Sequence, residues 1–597
     1  MTRFYHANIL SALLLLITLG TGLKIQGAET IKREFRGAWI STVYCLDWPR
    51  NGSNTAITGT TSSIISLQKT RLNVLLDSLQ QHRINTAFFQ VRPMADALYK
   101  SSWEPVSAYL TGTRGSTLTW DPLDYAITEA HKRGIELHAW VNPFRWSAAE
   151  DQTWTTTWDT EIVNKGWILT TSKGKIFNPG IAEARDYIVS VCKEIISKYN
   201  VDGLVFDDYF YNSGTPEDTT AGDYKLWKNS GTTLTLANWR RNNINTFVKQ
   251  TYDMVQATKP YIRFGISPAG VAKSGAKAAG LTAYNATNAS DWQYAGIYSD
   301  PLAWLKAGTI DYISPQIYWE TTSSTNPFGP LTQWWSYAAK KLNRHHFASH
   351  SISALASSNT ETDWAEYAAQ LQYSRNYTQN NSPGCVFFRA GFLSGPAAKG
   401  LGHYLENTKF NHECLSPEIT WKTHQEYGSV SSLTQSGTKL SWTAVSSDEL
   451  IKYSVYAIPS SIVYTNAFRS DGDGISSDYL LGVSYTNSFT LPSSKKADYG
   501  YAVCVVDGYG HEYTPQSLNV TGISHIGGDE FTFKLSNNHI YFGMTAKFVR
   551  IFSMSGMMVG NYENVDDVQL QLQKGIYIIK AESVSGETIS AKFTIFE

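Results

Sequence analysis

The run Val201-Asp202-Gly203-Leu204-Val205-Phe206-Asp207-Asp208-Tyr209 decides the fold: an apolar, strand-like segment closed by two adjacent carboxylates. Burying such groups is costly unless they are paired or put to use, so a strand ending this way points to a site at its tip. Working outward, the chain between about residues 33 and 406 alternates strand-like and helix-like segments. The strand candidates are Arg36–Thr42, Thr86–Arg92, Glu136–Asn142, Gly203–Tyr209, Arg263–Ser267, Asp311–Trp319, His346–Ile352 and Gly384–Arg389. Between them, Leu72, Leu75, Leu76 and Leu79 recur at helical spacing, as do Ile188, Val191, Cys192, Ile195 and Ile196. Eight strand–helix repeats predict an α/β fold, a (β/α)8 TIM barrel, because each helical crossover returns the chain to start a parallel neighbour. The competing architecture, an open doubly wound sheet, requires a Gly-rich phosphate turn after an early strand, and the sequence has none.

Parallel barrels carry their chemistry at the C-terminal ends of the strands. There the second strand offers Gln90, Arg92 and, just beyond, Asp96. The third offers His138, Trp140 and Asn142, and the sixth Gln316, Tyr318, Trp319 and Glu320. Period-two alternation groups Gln90 with Arg92, His138 with Asn142, and Gln316 with Tyr318 and Glu320. It sends Asp207 and Asp208 to opposite sides, so that only one can aim at the barrel mouth.

Glycoside hydrolysis needs one carboxylate to stabilise or attack an oxocarbenium-like centre and another carboxyl to protonate the leaving oxygen. Asp207 is the candidate for the first role; the pattern Asp-Gly-x-x-x-Asp, with its last Asp as nucleophile, recurs in several α-glycosidase barrels. Asp208 would orient a neighbour or contact a sugar hydroxyl. Glu320 is the first candidate for the acid/base, with Asp96 and Asp208 as rivals. Arg92, Asp96, His138, Asn142 and Gln316 are candidate substrate- or carboxylate-orienting groups, and Trp140, Tyr209, Tyr211, Tyr318 and Trp319 candidate sugar platforms. Each has a structural alternative: an ion-pair cluster for Asp207 and Asp208, a solvated loop for Glu320, a satisfied core histidine for His138, packing for any one rim tryptophan. His345, His346 and His350 lack a metal-binding spacing and read as core or solvated histidines.

Charge narrows the partners. Lys+Arg (50) balance Asp+Glu (51) for a net charge of −1, with no basic stripe, which argues against nucleic acid or an anionic membrane surface. The 19 Trp, 35 Tyr and 25 Phe suit stacking on sugar rings, and equally barrel and sandwich cores. A polysaccharide or oligosaccharide substrate and a monomeric chain are the expectation. Arg3, the apolar run Ile9–Leu19 and the small residues Gly27 and Ala28 predict a cleaved export signal over residues 1–28. That run is shorter than the roughly 20 residues of a spanning helix. Export implies the cell surface or medium, with the periplasm as the alternative. The five scattered cysteines, Cys45, Cys192, Cys385, Cys414 and Cys504, predict neither a disulfide framework nor a zinc pair, and no cofactor is expected.

After Pro417 the texture changes to period-two alternation, as in Leu440/Trp442, Tyr453/Val455 and Tyr501/Val503/Val505. Residues 417–522 therefore read as a small β-sandwich and residues 526–597 as a second all-β module. The Asp471–Gly474 segment reads as a plain turn, since it lacks the ligand ladder of a calcium loop.

The barrel motifs, taken together and in order, resemble the glycosyl hydrolase-like 10 family. They are Arg36-Gly37-Ala38-Trp39, Asp47-Trp48-Pro49, Gln90-Val91-Arg92-Pro93, Asp96-Ala97-Leu98-Tyr99, His138-Ala139-Trp140-Val141-Asn142-Pro143, Asp202-Gly203 with Asp207-Asp208-Tyr209-Phe210-Tyr211, Gly265-Ile266-Ser267-Pro268 and Pro315-Gln316-Ile317-Tyr318-Trp319. The resemblance implies an exported bacterial barrel glycosidase over residues 33–410. A branch of that family cleaves peptidoglycan glycan strands already stripped of their peptides. Asp207, Asp208, Asp96, Arg92, His138, Asn142 and Gln316 fall on its motif positions; Glu320 does not. Residues 417–522, through Tyr453-Ser454-Val455-Tyr456 and Tyr499-Gly500-Tyr501-Ala502-Val503, look like a fibronectin type III module. Residues 526–597, through Val549-Arg550-Ile551-Phe552 and Gly575-Ile576-Tyr577, are similar to C-terminal sorting domains of type IX secretion, which implies surface display or release.

Overall fold

The computed structural model describes residues 30–149, 151–275, 291–378, 383–393, 400–495, 498–520 and 531–595 except 532, 537, 554, 555 and 587. The export segment expected over residues 1–28 lies outside them. Among the described residues no helix is long and apolar enough to cross a membrane.

The barrel strands are β1 (Phe35–Ile40), β2 (Thr86–Arg92) and β3 (Glu136–Val141). A small hairpin, β4 (Ile168–Thr171) with β5 (Gly174–Phe177), intervenes. The barrel continues with β6 (Gly203–Phe206), β7 (Arg263–Ile266), β8 (Tyr312–Ile313), β9 (His345–His346), β10 (Ala348–Ser351) and β11 (Gly384–Phe388). All neighbours pair in parallel, in the order β10-β11-β1-β2-β3-β6-β7-β8-β9. Only Phe347 separates β9 from β10, and its N–H donates to Ile313 O, so the two form one stave and an eight-stave TIM barrel closes. Each expected strand has its counterpart. Two are shorter than the apolar runs imply. β6 stops at Phe206 because the Asp207 carboxylate takes the next N–H, that of Asp208. β8 stops at Ile313, before Pro315, which has no N–H to give the ladder; Gln316 then rejoins through single bridges to Ala269 and Ser349.

Alternation sorts the side chains into two cores. Phe35, Trp39, Phe88, Trp140, Val205, Tyr312, Phe347 and Val386 fill the barrel interior. The other faces of the strands pack against helices such as Ser62–Gln81, which buries Leu72, Leu76 and Leu79, and Ala182–Lys198, which buries Ile188, Val191, Cys192, Ile195 and Ile196. Two glycines make room for the larger interior rings. A Cβ on Gly203 would lie 2.4 Å from His138 Nδ1, and one on Gly265 2.1 Å from the Tyr312 ring. All five cysteines are buried and free.

The second module has a three-stranded sheet, β12 (Ser431–Ser436), β13 (Lys439–Thr443) and β16 (Ser488–Thr490). It faces a four-stranded sheet of β14 (Lys452–Pro459), β15 (Leu480–Ser484), β17 (Tyr499–Val506) and β18 (Gln516–Leu518). Leu440, Trp442, Val455, Tyr501 and Val503 form its core. This module is seated on the N-terminal floor of the barrel. Lys452 pairs with Glu136 at the start of β3, Lys422 Nζ lies 2.8 Å from Asp311 Oδ2, and Tyr485 OH donates to Asp202 Oδ1 at 2.8 Å while its ring stacks on His131. The turn at Asp473 meets Arg33 and Lys32. The strands β19 (Phe533–Ser536), β20 (His539–Ser553), β21 (Met558–Gln569), β22 (Gly575–Ser583) and β23 (Thr588–Ile595) form a five-stranded antiparallel sheet with its own core around Ile540, Val549, Ile551 and Ile579.

Candidate active site

With the floor covered, the opposite end of the barrel is where β6 delivers its acids. Val205 points into the barrel, and Asp207, two residues on, continues the same row at the mouth. It is only 8% exposed, and its Oδ1 accepts from Asp208 N–H at 2.8 Å and from Gln316 Nε2 at 3.0 Å. The ladder ends at Phe206, and Asp208 meets Asp207 through its backbone N–H, with its own side chain half-buried.

Burial raises Asp207 above the ordinary carboxyl range, against the opposing effects of the Asp208 N–H, Arg145 and Gln316. Burial, then the charge of Asp207, hold Asp208 well above that range. Two neighbouring carboxyls resist carrying two charges, and Asp208 is the member held higher.

Aromatic and polar groups surround the pair. Tyr209 is 38% exposed beside it, its ring 4.4 Å below the Arg145 guanidinium, and burial pushes its phenol up to about 12. Tyr318, half-buried, feels the charges of Asp207 and Asp208; its phenol is held well above its usual value, first by burial. Gln316 also donates to Ser267 O at 3.0 Å, which fixes the amide that faces Asp207. Tyr44, 56% exposed, and Tyr109 meet edge to face at 5.5 Å, and Tyr109 senses Arg145, extending an aromatic rim along one side.

Several expected site residues serve the scaffold instead. Arg92 is fully buried: its guanidinium pairs with Glu104 (2.6 Å) and donates to Asn142 O (2.6 Å) and Pro143 O (2.8 Å). The register of β2 against β3 shifts between Gln90 and Arg92, and this irregularity breaks the parity that would have kept Arg92 in the inward row. Asn142 is saturated by Trp140 Nε1 (2.8 Å) and Pro93 O (3.1 Å). His138 shares its face but sits four residues lower, about 13 Å along the strand, where it bonds Tyr312 OH at 2.9 Å and stacks on Phe88. Asp96 accepts from Met94 N–H and lies 3.5 Å from Arg114. Trp140 belongs to the interior core, Tyr211 packs edge to face on Tyr298, and Trp319 packs toward the helical layer. Glu320 is exposed, its side chain meeting Thr322, and does not join the pair. The structure thus brings Asp207, Asp208, Tyr209, Gln316 and Tyr318 together.

Arg145 was hidden from sequence reading because it follows β3 by four residues, where no periodicity applies. A second unanticipated feature is Asp47, which accepts from Arg389 at 2.5 Å and from the Ser41 and Gly391 N–H groups, and so latches the end of β1 to that of β11.

A closed parallel barrel with two neighbouring carboxyls at its C-terminal mouth is a framework that glycosidases use. The chain belongs to the glycosyl hydrolase-like 10 family, whose model matches residues 34–366. It is 32% identical over 392 residues to "Glycosyl hydrolase DigH" of Escherichia coli (strain K12), covering 62% of this chain and 86% of that one. It is 34% identical over 395 residues to "Glycosyl hydrolase YngK" of Bacillus subtilis (strain 168), covering 65% and 74%. Among solved structures, the PgaB (BpsB) glycoside hydrolase domain from Bordetella bronchiseptica aligns over 60% of this chain and 94% of that one, with 9% identity and a TM-score of 0.38.

Proposed function

We propose that this chain is an exported glycoside hydrolase acting on a bacterial glycan, with peptidoglycan strands lacking stem peptides as the substrate that fits best. The observation that carries the reading is the pair of neighbouring carboxyls, Asp207 and Asp208, at the open end of the barrel, both raised above the ordinary carboxyl range. Glycosidases that divide the work between two carboxyls hold them roughly 5–5.5 Å apart for retention or 6.5–9.5 Å for inversion. Carboxyls on consecutive residues at one strand end suit a third route, in which the sugar supplies the nucleophile and the protein an acid and an orienting carboxylate. In a 2-acetamido sugar the amide oxygen attacks C1 as the C1–O bond breaks, and Asp208 gives its proton to the departing oxygen. Asp207 accepts the amide N–H and steadies the positive charge of the bicyclic intermediate. Water then adds at C1, loses its proton to Asp208 and regenerates the amide. Both sugars of a peptidoglycan strand carry this group; glucans do not.

The relatives' names support the glycosidase class, and the aromatic rim suits a sugar chain. Export rests on the apolar run Ile9–Leu19, and surface display or release on the sorting-type texture of residues 526–597. The test is reducing-end release from denuded strands and from an α-glucan. Wild type should cleave the first only, and Asp207→Asn should remain folded and inactive. Binding without products would instead assign a non-catalytic carbohydrate-binding protein, and undiminished turnover by Asp207→Asn would remove that residue from the mechanism.

A further inference from the structure

Far from the barrel mouth, three separated stretches of the second module bring ligand-type side chains together. His424 lies in the segment entering the module, Glu449 in the loop before β14, and Asp507 and His511 in the turn after β17. Ligand atoms of His424, Asp507 and His511 all lie within 4.8 Å of one another. A tetrahedral zinc with bonds of about 2.1 Å holds its ligands about 3.4 Å apart, so small side-chain rotations complete the shell.

The unpaired atoms are the stronger observation. Among the described residues His424 Nδ1, His511 Nε2 and Glu449 Oε2 are buried without a hydrogen-bond partner. Each histidine turns its other nitrogen to a carboxylate: His424 Nε2 lies 3.4 Å from Glu426 Oε1, and His511 Nδ1 3.7 Å from Glu418 Oε2. That is the arrangement by which an outer carboxylate orients a metal-bound imidazole. Asp507 is fully buried and fixed by the N–H groups of Tyr509 and His511 and by Tyr513 OH, each at 2.9 Å. Its Oδ1 accepts two of these bonds and its Oδ2 one, which leaves Oδ2 a lone pair to spare. Glu449 feels the Asp507 charge directly. Two carboxylates beside two imidazoles stacked at 3.8 Å, with unpaired atoms among them, suit a divalent cation.

We propose that His424, Glu449, Asp507 and His511 form a structural zinc site that ties the segment leaving the barrel to the turn after β17. Two imidazoles with carboxylates select zinc over calcium, which takes six or more oxygen ligands. Glu418, which lies behind His511, also pairs with Arg33 of the barrel at 2.6 Å, so the site would brace the junction of the two units.

The experiment uses the full chain, stripped with a chelator and titrated with ZnCl2 and, separately, CaCl2. The expected results are one zinc per chain by calorimetry, an unfolding midpoint several degrees higher with zinc, and visible absorption of a four-coordinate ion when Co2+ is substituted. His511→Ala and His424→Ala should each weaken zinc binding at least tenfold. The proposal is overturned by sub-stoichiometric zinc uptake, by stabilisation with calcium alone, or by full affinity in both variants. The cobalt spectrum of the wild-type chain decides the matter should either variant fail to fold.

Discussion

Asp208→Asn keeps the shape of the side chain and the backbone N–H that Asp207 accepts, and removes the transferable proton. Loss of a positioned general acid costs about 10²–10⁴ in rate, or roughly 3–5 kcal/mol on the barrier at about 1.4 kcal/mol per decade. Stability should move the other way. The folded chain holds Asp208 well above its ordinary value, first by burial and then by the Asp207 charge. The folded state therefore binds a proton that the unfolded chain releases, and stability falls as pH rises from the unfolded carboxyl value through the folded one. Each unit of that displacement is about 1.4 kcal/mol of native-state cost above the window. Asparagine carries no such cost, so the variant should be the more stable protein at pH 7, by about 2 °C in Tm for each kcal/mol in a chain of this size. Its stability should also vary less with pH between about 4 and 7. The assay is denaturation at several pH values beside initial rates on denuded strands. A variant that keeps wild-type turnover, or that is less stable at pH 7 with an unchanged pH slope, refutes this account of Asp208.

Arg145 favours the ionised form of both Asp207 and Asp208; Arg145→Ala should therefore shift the acidic limb of the kcat/KM profile to higher pH, and a limb that stays in place would exclude its action on the pair. Arg92 forms a fully buried pair with Glu104, so Arg92→Ala should cost about 3–5 kcal/mol in urea unfolding by stranding that carboxylate. A loss below about 1 kcal/mol with a raised KM would return Arg92 to the substrate site.

The fold was legible because barrel strands and their helices announce themselves by period: eight apolar runs map onto eight staves. The site was only half legible. Asp207 and Gln316 obey alternation because Val205 and Tyr312 before them point into the barrel. Arg92 defeats it through the register shift in β2. His138 has the expected parity at the wrong depth, and depth is set by register with β6, where Gly203 lies opposite it. Arg145 and the His424–Glu449–Asp507–His511 cluster carry no local signal, since their neighbours come from distant parts of the chain.

The seating of the β-sandwich on the barrel redraws the smallest piece that could be studied alone. Glu136, Asp202 and Asp311 each take a side-chain partner from beyond residue 420. A fragment cut at residue 410 would strand these carboxylates at its base and bare the underside of the barrel to solvent. A piece that keeps these partners runs to about residue 520, and a chain trimmed to its family match would lose its foundation together with its tail.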